Sequence, residues 1–248
     1  APHRAPYAYG PRVPSSSEAN LIDASTADVT ARVLLALQAV EATNLLEAGM
    51  GAQARDAAKR GAEFLRRAQT RTGCWWGRWR TGYLSALPFI TPALRTAGEP
   101  AGSACFTAVR DFLFTHQNPD GGWGEGTEAD RDASKAGRGA STPLQTASAL
   151  IALVATTPGN DLGDSVPLQR GIDYLARGQR AGTWSNGRAL YTAAFQTDYY
   201  DSAMGTHTLV TRALAYLSLA RALGVDAATR RMVCGEGLGE PLTRGLTA

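Results

Sequence analysis

The chain has 248 residues, of which 44% are hydrophobic, and its 25 basic and 22 acidic side chains leave a net charge of only +3. This length suffices for one large domain with its own core, or for a piece of a larger protein. The basic residues form no block, which argues against a nucleic-acid partner. No apolar run approaches the ~20 residues that a membrane-spanning helix needs.

The first 24 residues are predicted to form an extended arm, because they contain several prolines and a run of three serines. The sequence begins with Ala1 and has no apolar signal core, so we expect that it was trimmed or begins inside a longer protein. Ser25 and Asp28 form a capping box that predicts the start of a helical domain over residues 25–234. Residues 235–248 are predicted to be a tail.

Seven helices are predicted from apolar residues at helical spacing. Pro88 and Pro92 are expected to kink or divide the third of them. Thr142, Pro143 and Gln145 predict an N-cap, a first helical residue and a capping-box partner for the fifth. The sequence predicts an all-α protein built from successive hairpins. The predicted helices span about 26–46, 52–69, 82–97, 101–116, 143–155, a segment after 165 that ends near Gln179, and 206–223, with a polar loop over 126–140 and a loop or short extended piece over 184–200.

An internal repeat follows the second, fourth and sixth predicted helices. Each copy has an aromatic-Leu pair, a Gln five residues after the aromatic, and then Gly-x-Trp. We expect the Gln amide to bond backbone groups that the helix end leaves unpaired, and the indole to pack while its N–H finds a carbonyl. The unit is therefore interpreted as a structural clasp between successive helices. Its Trp residues are 48 and 61 residues apart, which is typical of repeat architectures, and the three pairs are Gln69 with Trp75, Gln117 with Trp123, and Gln179 with Trp184.

Cysteine and histidine give no sign of a metal centre. The three cysteines are odd in number and lack C-x-x-C spacing, so a disulfide framework or a zinc finger is not expected and a reducing compartment fits best. No histidine is paired with another or with a cysteine at ligand spacing. Nucleotide fingerprints are absent as well. We therefore expect no metal and no cofactor; the residues concerned are Cys74, Cys105, Cys234, His3, His116 and His207.

The central clasp and the segment after it resemble the squalene–hopene and oxidosqualene cyclase family. The resemblance covers residues from about 20 to 224, and this stretch is similar to the C-terminal half of a typical family member. The order of the motifs and the number of separate motifs make the resemblance strong. The segments that carry it are 117–125 (QNPDGGWGE), 137–147 (GRGASTPLQTA), 27–31 (ADVTA), 73–79 (GCWWGRW) and 190–192 (LYT) leading to 198–200 (DYY).

This resemblance implies an (α/α) barrel, or part of one, and class II terpene cyclisation, an intramolecular isomerisation in which an acid protonates a polyene and aromatic faces stabilise the carbocations. The implied substrate is a polyprenoid, and the implied location is cytoplasmic or peripheral to the cytoplasmic membrane. Such a barrel has about six hairpins, whereas this chain supplies three or four. A second domain or another chain is therefore expected to complete it.

Three aromatic residues fall on positions that line the cavity in the family: Trp79, Phe195 and Tyr199. The resemblance implies that they present their ring faces to a cationic or apolar polyene. The alternative is that they are ordinary core aromatics, since both environments favour such side chains. Where bacterial cyclases usually place tyrosines, this sequence has smaller residues, namely Ser85, Ala203 and Thr206.

The family's proton donor lies in an Asp-x-Asp-Asp motif that this sequence does not contain, so no catalytic residue is assigned. The nearest string is Asp130-Arg131-Asp132, which we interpret as a solvated loop where Arg131 keeps the pKa of both carboxyls low. Arg32 occupies the place of an assisting His and is always charged.

Two functions therefore stay open: the cavity wall of a class II cyclase, or a non-catalytic scaffold that binds an isoprenoid or a partner protein. Sugar stacking on the Trp residues is disfavoured because they recur in a structural register.

Overall fold

A computed structural model describes residues 25–42, 48–77, 82–158, 162, 165–180, 184 and 203–234. All regular structure in these ranges is helical, as predicted. The predicted arm and tail lie outside them, and so does most of the predicted loop over 184–200. The described ranges contain eight α-helices: α1 (Ala27–Ala42), α2 (Ala48–Ala68), α3 (Leu87–Thr96), α4 (Ala104–Thr115), α5 (Pro143–Thr156), α6 (Val166–Arg180), α7 (Ala203–Leu223) and α8 (Val225–Cys234). Two short 3-10 helices, Thr127–Asp130 and Ala133–Lys135, precede α5.

The third helix is shorter than the sequence indicates. Residues 82–86 form turns, and α3 begins at Leu87. Pro88 therefore lies in the first turn, where its missing N–H leaves no hydrogen bond unmade, while Pro92 lies inside the helix. The turn that precedes α3 matters for the site described below.

An inner row of helices and an outer set build the core. Along the inner row α1, α3, α5 and α7, each helix contacts the next. On the outside, α2 packs on α1, while α4 and α6 pack on α5. All 14 residues of α5 are buried, and the helix contains no charged side chain, because it has neighbours on all sides. The outer helices α2 and α6 carry many charged residues, as helices with one solvated face do.

Helix α8 was not predicted. It follows α7 after Gly224, whose φ of 83° ends one helix and allows the next to begin at once. Its first turn is held by Asp226, whose carboxylate accepts a hydrogen bond from Nε of the buried Arg95 at 2.6 Å. Further along, the Tyr216 hydroxyl lies 2.5 Å from Oγ1 of Thr229. Helix α8 thus ties α7 to the end of α3.

Two negative findings hold within the described ranges. None of their helices is both long enough and apolar enough to cross a bilayer. They also contain no cluster of three or more His, Cys, Asp or Glu residues that could hold a metal ion.

Candidate functional site

The first clasp joins α2 to the start of α4 through backbone carbonyls. The Gln69 amide donates to the carbonyl of Gly73 at 2.7 Å and to that of Cys105, in the first turn of α4, at 2.9 Å. The fully buried Trp75 donates its indole N–H to the Leu65 carbonyl at 2.7 Å. That Leu belongs to the aromatic-Leu pair, so the repeated residues bind one another.

The second clasp has the same geometry one hairpin later. The Gln117 amide donates to the carbonyl of Gly121 at 2.9 Å and to that of Pro167, in the first turn of α6, at 2.8 Å. The buried Trp123 donates its indole N–H to the Leu113 carbonyl at 2.8 Å. Successive outer helices are thus joined in the same way twice.

Glycine is required at the turn of both clasps. Gly73 and Gly121 have φ angles of 89° and 90°. A Cβ at Gly73 would come within 2.6 Å of the Ala108 carbonyl oxygen, and a Cβ at Gly121 within 2.5 Å of the Arg170 carbonyl oxygen. The turn therefore needs both a left-handed backbone and direct contact with the next outer helix.

The third clasp is described in part. The Trp184 indole N–H donates to the Leu175 carbonyl at 2.9 Å, which matches the first two copies. Its ring lies 4.9 Å from that of His207 in α7 and is only partly buried. The side chain of Gln179 is exposed.

Trp79 lies outside the described residues, and so do Phe195 and Tyr199, but both ends of the Trp79 segment are visible. The Gly77 N–H donates to the Gly82 carbonyl at 2.9 Å and draws the two ends together. Asp130 then bridges them, because its Oδ1 accepts the Trp76 indole N–H at 3.1 Å and the Gly82 N–H at 2.9 Å. We call residues 76–84 the Trp79 loop.

A second carboxylate holds the same loop from its C-terminal side. Glu125 is buried, and its Oε2 accepts the N–H groups of Tyr83 and Leu84 at 2.6 and 3.0 Å. Its Oε1 accepts the Gly137 N–H at 2.7 Å. Burial raises the pKa of Glu125 to about 7, although the three N–H groups favour the ionised form.

The end of the second clasp and the residues after it are held on α5. The backbone N–H of Trp123, the last residue of the clasp, donates to Oγ1 of Thr146 at 3.0 Å. The Gln145 side chain then pairs with the Glu125 backbone, accepting its N–H at 3.0 Å and donating to its carbonyl at 3.1 Å. Thr142 caps α5 as predicted, by accepting the Gln145 N–H. Oε1 of Gln145 also accepts the Thr142 hydroxyl at 3.1 Å, so the Gln145 side chain joins the cap of α5 to Glu125.

The prediction for the Asp130-Arg131-Asp132 string was wrong for Asp130. Its carboxyl is partly buried against the Trp79 loop, and this desolvation raises its pKa, with Arg131 exerting only a weak opposite effect. Its Oδ2 is buried and has no hydrogen-bond partner among the described residues. Asp132 does have a lowered pKa, mainly because its carboxylate binds Ser134 at the start of a 3-10 helix.

The other positions singled out in the sequence lie around this region or on α1. Ser85 is buried in the turn after Leu84, Thr206 is buried in α7, and Ala203 is the first residue of α7. The Arg32 guanidinium carbon lies 4.3 Å from the centre of the Phe89 ring, a cation–π contact at the surface of α1.

The architecture defines an all-α protein of paired inner and outer helices joined by Gln–Trp clasps. Comparison with known families is specific: residues 6–218 match the squalene–hopene cyclase C-terminal domain. The chain therefore belongs to this family and corresponds to its C-terminal domain.

Individual relatives agree. The chain is 33% identical over 183 residues to a squalene–hopene cyclase of Bradyrhizobium diazoefficiens, which covers 73% of the chain and 26% of that protein. It is 34% identical over 159 residues to a squalene–hopene cyclase of Alicyclobacillus acidocaldarius, covering 63% and 24%. A terpene cyclase–glycosyl transferase fusion protein of Humicola fuscoatra is 33% identical over 174 residues, covering 68% and 13%. The chain thus spans about a quarter of the length of these bacterial relatives.

Asp130→Ala is expected to loosen the Trp79 loop, because the Trp76 indole and the Gly82 N–H both lose their acceptor. Amide hydrogen exchange of a peptide covering residues 82–86 should become faster by about tenfold. Asp130→Asn keeps the accepting oxygen and should retain most of the protection. Equal exchange in the wild type and in Asp130→Ala would show that Asp130 does not hold the loop.

Proposed function

We propose that this chain forms part of the cavity wall in a class II terpene cyclase, where it presents aromatic side chains to a polyprenoid substrate. The observation that carries the proposal is the support on either side of Trp79. Asp130 binds Trp76 and Gly82, and Glu125 binds Tyr83 and Leu84. Rigid support of a ring is what cation stabilisation requires, since a positioned π face acts without reorganising during the reaction.

In the proposed reaction a proton adds to a terminal alkene carbon, and successive C=C electron pairs close new C–C bonds. The last carbocation loses a proton, so the product is an isomer of the substrate. Trp79, Phe195 and Tyr199 would face the cationic centres and exclude water from them. No electrons are gained or lost overall, and no cofactor is required.

Neither of the two carboxyls that hold the Trp79 loop, Glu125 and Asp130, suits the role of the initiating acid. An alkene is a very weak base, and a Glu125 carboxyl with a pKa of about 7 is a poor proton donor to it. Both oxygens of Glu125 also accept backbone N–H groups, so the carboxyl is held as an acceptor. We therefore assign Glu125 and Asp130 a positioning role and propose that the acid comes from a part of the cyclase outside this chain.

The second candidate is a non-catalytic scaffold that binds an isoprenoid or a partner protein. One observation favours it: Arg32, which cannot relay a proton, stands where bacterial cyclases usually carry an assisting His. In both candidates the ligand would contact the predicted aromatic residues Trp79, Phe195 and Tyr199. The two candidates differ in whether the aromatic rings stabilise a carbocation.

A cationic analogue separates the two functions. An ammonium analogue of a cyclisation carbocation should bind more tightly than the neutral polyene of the same shape, by about 0.5–2 kcal/mol for each ring face. Trp79→Leu should abolish this preference and leave the affinity for the neutral ligand, which depends on buried apolar area, largely unchanged. Isothermal titration calorimetry measures both affinities. Equal affinities for the two ligands in the wild type would favour the scaffold.

A further inference from the structure

A polar pocket lies at the end of α3 that is farther from the Trp79 loop. It has a volume of about 310 Å³ and lies between the last turn of α3, the turn that leads to α4, and the first two turns of α8. This volume is at the lower end of the range for small-molecule sites. The pocket is lined by four charged side chains and two threonines, but by no large apolar side chain; these six residues are Arg95, Thr96, Glu99, Asp226, Thr229 and Arg230.

Two of the charged side chains are buried and held in place by hydrogen bonds. The side chain of Arg95 is 6% exposed and that of Glu99 is 7% exposed. Arg95 donates from Nε to Asp226 and from Nη1 to two carbonyls at the end of α5. Oε2 of Glu99 accepts Nε of Arg66, in α2, at 2.6 Å. The polar walls are therefore ordered before any ligand binds, which lowers the entropy cost of binding.

Arginines outnumber carboxylates around the pocket. The lining holds two carboxylates, Glu99 and Asp226. Asp226 stays ionised, because the hydrogen bond from Arg95 and the nearby charge of Arg230 lower its pKa. Four arginines against two carboxylates leave an excess of positive charge. The arginines come from four different helices, and each one lines the pocket or binds a residue that does: Arg66, Arg95, Arg110 and Arg230.

Arg230 is the arginine that the fold does not explain. Arg66 and Arg95 bind carboxylates, and Arg110 donates to the carbonyls of Ala101 and Thr156. Arg230 is exposed on the pocket wall and forms no hydrogen bond within the described ranges. Its planar group of N–H donors is thus open to a ligand. Such a group matches the oxygens of a phosphate, which it binds through two parallel hydrogen bonds.

We propose that this pocket binds a phosphate group of a small soluble molecule, which Arg230 contacts directly and the other arginines attract. The ligand would join the turn after α3 to α8 and so stabilise α8 against the inner row. This site is independent of the proposed polyprenoid cavity. The Trp79 loop precedes α3 and the pocket follows it, and a helix of ten residues is about 15 Å long.

Isothermal titration calorimetry with inorganic diphosphate tests the site on the 248-residue protein at constant ionic strength. Arg230→Gln should raise Kd at least about tenfold, since it removes a charged donor. Arg180→Gln, at an exposed arginine in the last turn of α6 that does not line the pocket, should leave Kd unchanged. Asp226→Asn should lower Kd, because it removes a negative charge from the lining while the amide oxygen can still accept from Arg95.

Equal Kd values for the wild type and Arg230→Gln would overturn the proposal. A higher Kd in Asp226→Asn, with an unchanged urea midpoint, would also overturn it, because a site for a cation or a zwitterion responds in that direction. Binding to phosphatidic acid vesicles that depends on Arg230, without binding of diphosphate, would identify a lipid headgroup and overturn the soluble ligand.

Amide hydrogen exchange gives a second measurement of the same site. With diphosphate at about ten times its Kd, exchange in a peptide covering residues 225–233 should become about tenfold slower if α8 opens only in the unbound state. A peptide covering the second clasp, residues 117–123, should be unaffected. Equal slowing of both peptides would indicate a general effect of the salt and would contradict a site at α8.

Discussion

Replacing Trp123 by Ala should lower the free energy of unfolding by about 3–5 kcal/mol. The indole is fully buried, and it packs against α6, where a Cβ at Gly171 would come within 2.7 Å of its ring and within 2.8 Å of Leu150 in α5. The substitution leaves a large cavity between inner and outer helices and removes the hydrogen bond to the Leu113 carbonyl. A loss of this size is a large share of the 5–15 kcal/mol typical of a domain.

Urea unfolding followed by circular dichroism measures the effect. Trp123→Phe keeps a ring in the site and should cost less, because it loses the N–H donor and only part of the volume. Trp184→Ala is the matched control, since its indole makes the equivalent bond but is only partly buried, and its effect should also be smaller. An unchanged urea midpoint for Trp123→Ala would contradict the structural role of the clasp.

Glu125 should make the protein less stable as the pH rises from about 5 to 7. Its pKa is about 7 in the folded chain and near its ordinary value of 4.5 in the unfolded chain. Between these two values the folded state holds a proton that the unfolded state has released, so unfolding releases a proton and becomes easier at higher pH. A difference of this size corresponds to about 3 kcal/mol between the two ends of the range.

Glu125→Gln should remove most of this pH dependence, because the amide does not titrate. The variant should be less stable than the wild type at low pH, since one of the three backbone N–H groups then faces an NH₂ donor. Glu128→Gln, in the same loop but exposed, should leave the pH profile unchanged. Denaturant unfolding at pH 5, 6, 7 and 8 measures the free energy of unfolding of the wild type and of both variants. An identical slope in Glu125→Gln and the wild type would show that another group is responsible.

The features that the sequence predicts best are local. The amphipathic helices and the Gln–Trp repeat depend on residues that are close in sequence. Thr142 and Pro143 predict the start of α5 where the structure has it. Helix α8 was missed because its ten residues form fewer than three turns, and a single residue, Gly224, separates it from the longer α7.

The carboxylate support of the Trp79 loop could not be predicted from local pattern. Glu125 binds N–H groups 41 and 42 residues earlier, and Asp130 binds one that is 48 residues earlier. Asp130 is followed by Arg131 in the sequence, which suggested a stabilised anion, but burial against the loop has the larger effect on its pKa. Tertiary burial decides both pKa values, and nothing in a short window of sequence reports it. That Trp79, Phe195 and Tyr199 line a cavity stays a prediction.

The clasps have a consequence for how such proteins change over time. At the two fully described joints between outer helices, the Gln amide donates to main-chain oxygens, and the indole of the same repeat does likewise. The receiving helix need not keep any particular side chain at the accepting position, which is Cys105 in one joint and Pro167 in the next. Hairpins could therefore be duplicated, exchanged or allowed to diverge while the joints stay intact, leaving inner-row residues free to adapt to new substrates.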